Sequence, residues 1–126
     1  MPEKKKILIV EDDPRSLKLQ KGLLEYAGYE VIAASSAESG ISLIKERFPD
    51  LIIMDHRLPG MDGEEALKLI KADEKTKNIP IVFVTASIMD EDKKKLESYH
   101  CKSISKPIDT RTFVQEIGEV LNVSRG

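Results

Sequence analysis

Five short apolar runs rich in Ile, Val or Leu recur along the chain, each separated from the next by a segment of helix length, and this alternation restricts the fold more than any other feature. The runs are Ile7 to Val10, Glu30 to Ala34, Leu51 to Met54, Ile81 to Val84 and a weaker Ser103 to Ser105. Turn residues bound each one, so they read as strands. Strands that are apolar on consecutive residues have no wet face, which calls for a parallel sheet covered by helices on both sides. The crossovers are then right-handed. The expected fold is α/β: a doubly wound five-stranded parallel sheet of order 2-1-3-4-5 with five helices. Its switch point lies between strands one and three, and its chemistry sits at the carboxyl ends of those strands.

The intervening segments carry the helical period. Leu17, Leu23, Leu24 and Ala27 form one apolar stripe; Ala37, Gly40, Ile41, Ile44 and Phe48 form a second; Ala66, Leu67 and Ile70 form a third. The last helix places Phe113, Ile117, Val120 and Leu121 on one side after an Asp109 cap. The fourth segment, Asp90 to Tyr99, offers only Leu96 and Tyr99 among charged residues, which predicts the most loosely packed helix. Gly28 and Gly63 punctuate turns, and Pro49 and Pro80 stand just ahead of strands three and four, where no ladder bond is yet required.

With 126 residues there is room for one domain, spanning 1–126 with a core over about 5–122, and any output must come from its own surface. A 40% hydrophobic and 33% charged composition is that of a chain able to fold unaided. The net charge of −2, with both signs interspersed, offers no face for nucleic acid, and Lys4 to Lys6 read as a solvated lead-in to the first strand. Cys101 is the single cysteine, which excludes an intramolecular disulfide and a thiolate zinc cluster. The first residues are too short an apolar lead for a signal peptide or membrane span, so a cytoplasmic location is expected.

The rule about strand ends can be applied to the residues themselves. Glu11, Asp12 and Asp13 follow the first strand and Asp55 ends the third, so carboxylates from distant segments meet at the expected crevice. Gathering like charges there opposes folding unless a cation sits among them. Oxygen ligands without a thiolate cluster point to Mg²⁺, which takes one or two carboxylates and keeps water or phosphate oxygens on its remaining positions. The bland account makes the acids helix caps, a task for which one would suffice. Thr85 and Lys106 end the fourth and fifth strands, and a hydroxyl and an ammonium converging on a metal-bound carboxylate make a cage for a phosphoryl group. His56 and His100 have no carboxylate orienter placed by the sequence and read as solvated or locally bonded; Met54 and Met61 read as packing residues.

The stretches Ile7-Leu-Ile-Val-Glu-Asp-Asp13, Leu51-Ile-Ile-Met-Asp55, Leu58-Pro-Gly-Met-Asp-Gly63, Val82-Phe-Val-Thr-Ala86 and Ser105-Lys-Pro-Ile108 together resemble response-regulator receiver domains of two-component signalling, which have a flavodoxin-like fold. The resemblance covers essentially the whole chain in order. It implies that Asp55 is the phosphoacceptor, Asp12 a direct Mg²⁺ ligand, Glu11 an acid that holds the metal through water, and the Arg57 backbone carbonyl a further ligand. It also implies that Thr85 and the Ala86 backbone N–H bind phosphoryl oxygens, that Lys106 pairs with another, and that the Lys106–Pro107 bond is cis. Asp13 falls one place beyond the acidic pair and stays outside the metal's ligands.

The implied partners are a sensor histidine kinase or histidine phosphotransfer protein as phosphohistidine donor, and a downstream target protein. The resemblance further implies activity limited to self-catalysed phosphotransfer and autodephosphorylation, the latter tuned at Arg57 and Ser87, rather than turnover of a substrate. The implied output face combines the fourth helix, fifth strand and fifth helix. Ser103 stands where the family usually has an inward-turning aromatic, and Tyr99 lies at the end of the preceding helix, so the resemblance implies a switch that is smaller or rests on helix motion alone. A phosphohydrolase of the haloacid-dehalogenase type is the enzymatic rival, but Arg57 occupies the place of its general acid. A flavin-mononucleotide binder would want a hydroxyl- or glycine-rich loop where this chain has acids. A phosphorylation-independent adaptor is the third alternative.

Overall fold

The computed structural model describes residues 4–56, 58, 60–85, 94 and 101–125. The elements are β1 (Lys6–Val10), α1 (Pro14–Tyr26), β2 (Glu30–Ala34), α2 (Ala37–Arg47), β3 (Leu51–Asp55), α3 (Gly63–Ala72), β4 (Ile81–Thr85), β5 (Lys102–Ser105) and α4 (Phe113–Arg125). All five strands are parallel, in the order β2-β1-β3-β4-β5. Four helices are present among the described residues, against the five expected. The expected helix over 90–99 lies outside the described residues, apart from the exposed Lys94. Among the described residues, no helix is long and apolar enough to cross a membrane.

The central strands β3 and β4 are buried almost throughout, and β1 is buried from Ile7 onward, whereas β2 and β5 alternate because they form the sheet's edges. Successive side chains leave a strand on opposite faces. Leu8, Val10, Ile52, Met54 and Phe83 pack with Ala37, Ile44, Ala66, Leu67 and Ile70, so α2 and α3 cover that face. Ile7, Ile9, Leu51, Ile53, Val82 and Val84 pack with Leu24, Phe113, Ile117 and Leu121, so α1 and α4 cover the other.

Two residues assigned to helical stripes leave them. Phe48 caps the end of α2 with φ 45°, and this left-handed turn carries its ring off the stripe to 49% exposure. Ala27 caps α1 and is exposed, while Gln20 occupies a buried position on that helix instead. Met54 is fully buried and Met61 packs against the α2–α3 cluster, in keeping with packing roles.

Gly63 begins α3 rather than marking a free turn. A β-carbon there would lie 2.7 Å from the Asp55 carbonyl oxygen and 2.9 Å from Phe83 Cε1, while its own N–H donates to the His56 carbonyl at 3.0 Å. A backbone oxygen cannot step aside cheaply, so Gly63→Ala should lower stability by about 1–3 kcal/mol. A β-carbon on Gly22, inside α1, would meet no atom of the described residues within 4 Å apart from its own stretch of helix. Gly22→Ala should therefore raise stability by about 0.5–1 kcal/mol. Chemical denaturation of the two variants checks this opposition of sign.

Candidate metal and phosphoryl site

The sheet register builds the site one step at a time. Val10 pairs with Met54, so Glu11 and Asp55 leave their strands side by side. Asp55 pairs with Val84, which puts Thr85 one residue further; Thr85 pairs with Ser105, which puts Lys106 one further again. The ladder continues past the strands, with Glu11 N–H donating to the Ala34 carbonyl at 3.0 Å and Lys106 N–H to the Thr85 carbonyl at 2.8 Å. The Glu11, Asp55, Thr85 and Lys106 side chains therefore stand at or just past strand ends along one edge of the sheet.

Carboxylate oxygens of Glu11, Asp12 and Asp55 lie within 4.8 Å of one another. The Lys106 ammonium sits between two of these acids, 2.6 Å from Glu11 Oε1 and 3.0 Å from Asp55 Oδ2. The Glu11 side chain is 1% exposed and that of Asp55 11%, whereas Asp12 is open to solvent. Burial alone pushes the Lys106 ammonium down, but its hydrogen bonds to Glu11 and Asp55 and their charges outweigh this and hold it above the ordinary lysine value. Three carboxylates and one ammonium carry a formal charge of −2, which one divalent cation balances. The donors are all carboxylate oxygens, which suits a hard cation rather than zinc or copper.

Asp13 has a different task. It caps α1, its side chain accepting from the Arg15 N–H at 3.0 Å, with Pro14 at the first helical position. One acid does serve as the cap, and Glu11 and Asp12 remain for the cluster. Thr85 is buried at the end of β4. The Lys106–Pro107 bond is cis. Arg57, Ala86, Ser87, Tyr99 and His100 lie outside the described residues. Ser103 is half-buried on the edge strand opposite Phe83.

His56 departs from expectation, because it is buried rather than solvated. It continues β3 beneath the start of α3, its ring stands edge-on to Phe83 at 6.0 Å between centroids, and its Nδ1 has no hydrogen-bond partner among the described residues. Gln20 is not legible as a site residue from the sequence. The available signal is a lone amide within the apolar stripe of α1, one turn after Ser16. Its Nε2 donates to Ser16 Oγ at 3.0 Å and, over a longer 3.4 Å, to Glu11 Oε1.

Cys101 is buried just ahead of β5, and burial pushes its thiol above the usual range while the Lys71 charge pulls more weakly the other way. Native protein should react with iodoacetamide at neutral pH at least about tenfold more slowly than unfolded protein. The unfolded thiol gives up its proton first, so this group's contribution to stability falls as pH rises through about 9. Alkylation followed by mass, with and without denaturant, checks the rate.

The sheet is parallel, with acids, a hydroxyl and a lysine at its carboxyl edge, and residues 7–118 match the response regulator receiver domain family. The chain belongs to that family, whose members act in two-component signalling. It is 39% identical over 118 residues to the polar-differentiation response regulator DivK of Brucella ovis, covering 93% of this chain and 96% of the relative. Its fold resembles a CheY-like response regulator receiver domain protein from Methanospirillum hungatei, with a TM-score of 0.89, 32% identity and 98% of each chain covered. Chemotaxis response regulator CheY4 of Vibrio cholerae gives a TM-score of 0.87 at 25% identity, covering 94% of this chain and 99% of that one.

Proposed function

We propose that this chain is a phosphorylation-activated signalling switch in which Asp55 accepts a phosphoryl group from a phosphohistidine, with Mg²⁺ held by Asp12, Asp55, Glu11 and the Arg57 backbone carbonyl. The observation that carries the reading is the convergence of the Glu11, Asp12 and Asp55 oxygens within 4.8 Å beside the Lys106 ammonium. When bound, Mg²⁺ offsets charge on the transferring group.

The chain's own residues supply the rest. Asp55 presents a carboxylate fixed at a strand end, which favours in-line attack by positioning rather than by proton transfer. Lys106 already sits 3.0 Å from Asp55 Oδ2 and can follow a phosphoryl oxygen with little rearrangement. Thr85 and the Ala86 N–H supply hydrogen-bond donors to further oxygens, and water then hydrolyses the acyl phosphate without a substrate turnover cycle. A histidine kinase or histidine phosphotransfer protein is the donor. Movement at Thr85 biases the segment after β4, and with β5 and α4 that segment forms the face read by a downstream protein.

Intact-mass analysis with acetyl phosphate tests the chemistry: a single phosphoryl increment should appear with Mg²⁺ and vanish with EDTA. An increment indifferent to EDTA would contradict the metal's role. Loss of phosphorylation-dependent target binding in Thr85→Ala tests the switch, and unchanged binding would refute it.

A further inference from the structure

We propose that Gln20 is a positioning residue of the cation site, holding the Glu11 carboxylate from the α1 side while Lys106 holds it from the β5 side; this rests on the Mg²⁺ reading above. Glu11 is 1% exposed, and both of its oxygens are engaged within the protein. Oε1 accepts from Lys106 Nζ at 2.6 Å and from Gln20 Nε2 at 3.4 Å, and Oε2 accepts from the Asp13 N–H at 3.2 Å. These three donors occupy most of the carboxylate's acceptor sites and fix its orientation, so it presents a set edge to a cation or to a water bound on one.

Gln20 is equally buried, and its amide has one orientation that suits its neighbours. Ser16 Oγ at 3.0 Å and the Glu11 carboxylate both face the NH₂ end; reversing the amide would set its oxygen against a carboxylate. That orientation leaves Gln20 Oε1 buried with no partner among the described residues. Helix packing offers no reason for such an atom, since an apolar side chain would fill this position of the stripe without an orphaned acceptor. The amide is explained by what its other end does, which is to orient a group that borders the cation. Partners of this outer kind commonly change metal affinity when removed.

The experiment is calorimetric titration of the full chain with Mg²⁺ alone, comparing wild type, Gln20→Met and Ser16→Ala, together with the thermal midpoint without metal and the Asp13 amide resonance. Gln20→Met keeps the length and removes both polar atoms; Ser16→Ala releases the amide without touching the core. Mg²⁺ affinity should fall about tenfold in Gln20→Met and less in Ser16→Ala, with the metal-free midpoint held or raised in Gln20→Met. The Asp13 amide, which donates to the same carboxylate, should shift in both variants. Should Gln20→Met fail to fold, Ser16→Ala carries the decision alone. Wild-type affinity together with an unmoved Asp13 amide would overturn the inference while leaving the proposed function intact. A wild-type chain that binds no Mg²⁺ would overturn both.

Discussion

Replacing Asp55 with Asn should abolish the phosphoryl adduct altogether, because the carboxamide keeps the side chain's shape but has no anionic oxygen to attack phosphorus. The change leaves β3 and its register intact, since Asp55 is the last residue of the strand and its pairing with Val84 is through backbone. It also removes one of three clustered carboxylates, so Mg²⁺ affinity should fall by about tenfold or more even without any phosphodonor. The two losses would separate the two proposed roles of Asp55, calorimetry reading the ligand and intact mass the nucleophile. An Asp55→Asn variant that still gains a phosphoryl increment would show that another residue is the acceptor.

Lys106→Met should produce the second large effect, and on two axes. Adduct formation should slow by about 10²–10³-fold, the usual consequence of removing one fixed donor to a charged transition state. Stability without metal should also fall, because Glu11 is buried and loses its 2.6 Å cation. A fully buried pair broken on one side costs about 3–5 kcal/mol, and the 19% exposure of the Lys106 side chain brings the expectation to about 2 kcal/mol. Mg²⁺ should restore part of that loss, since it supplies positive charge to the same acids.

The sign of the pH dependence follows from the raised lysine. The folded state binds this proton more tightly than the unfolded state, so the ion pairs contribute fully at neutral pH. Their contribution disappears only as pH rises beyond the ordinary lysine value of 10.5. The stability difference between wild type and Lys106→Met should therefore be flat through neutrality and shrink in strong alkali, as denaturant titrations at several pH values would show.

Much of this is readable from residue order, for physical reasons that can be named. A parallel sheet carries side-chain period and register together, so a carboxylate just after Val10 and another just after Met54 meet once those two residues pair. The same logic brings Thr85 and Lys106 to the edge. Periodicity is less informative where an element stops. Phe48 and Ala27 fit their stripes numerically, yet each lies at a helix end where the backbone turns away. His56 defeats a reading by chain neighbours because its exposure depends on how closely α3 approaches, and that is set by Gly63. Gln20 is invisible for a related reason: its meaning lies in a contact with Glu11 across the β1–α1 turn, at a distance that residue spacing does not reveal.

Borohydride trapping is the most direct test of the central claim, that acids from two strand ends form one cation-dependent phosphoryl acceptor. The chain would be treated with acetyl phosphate and Mg²⁺, reduced so that an acyl phosphate is converted to an alcohol, and fragmented to locate the altered side chain. Modification should fall at Asp55 alone and require Mg²⁺. Modification at Asp12, Asp13 or Glu11, or equal modification at Asp55 without a divalent cation, would contradict the claim.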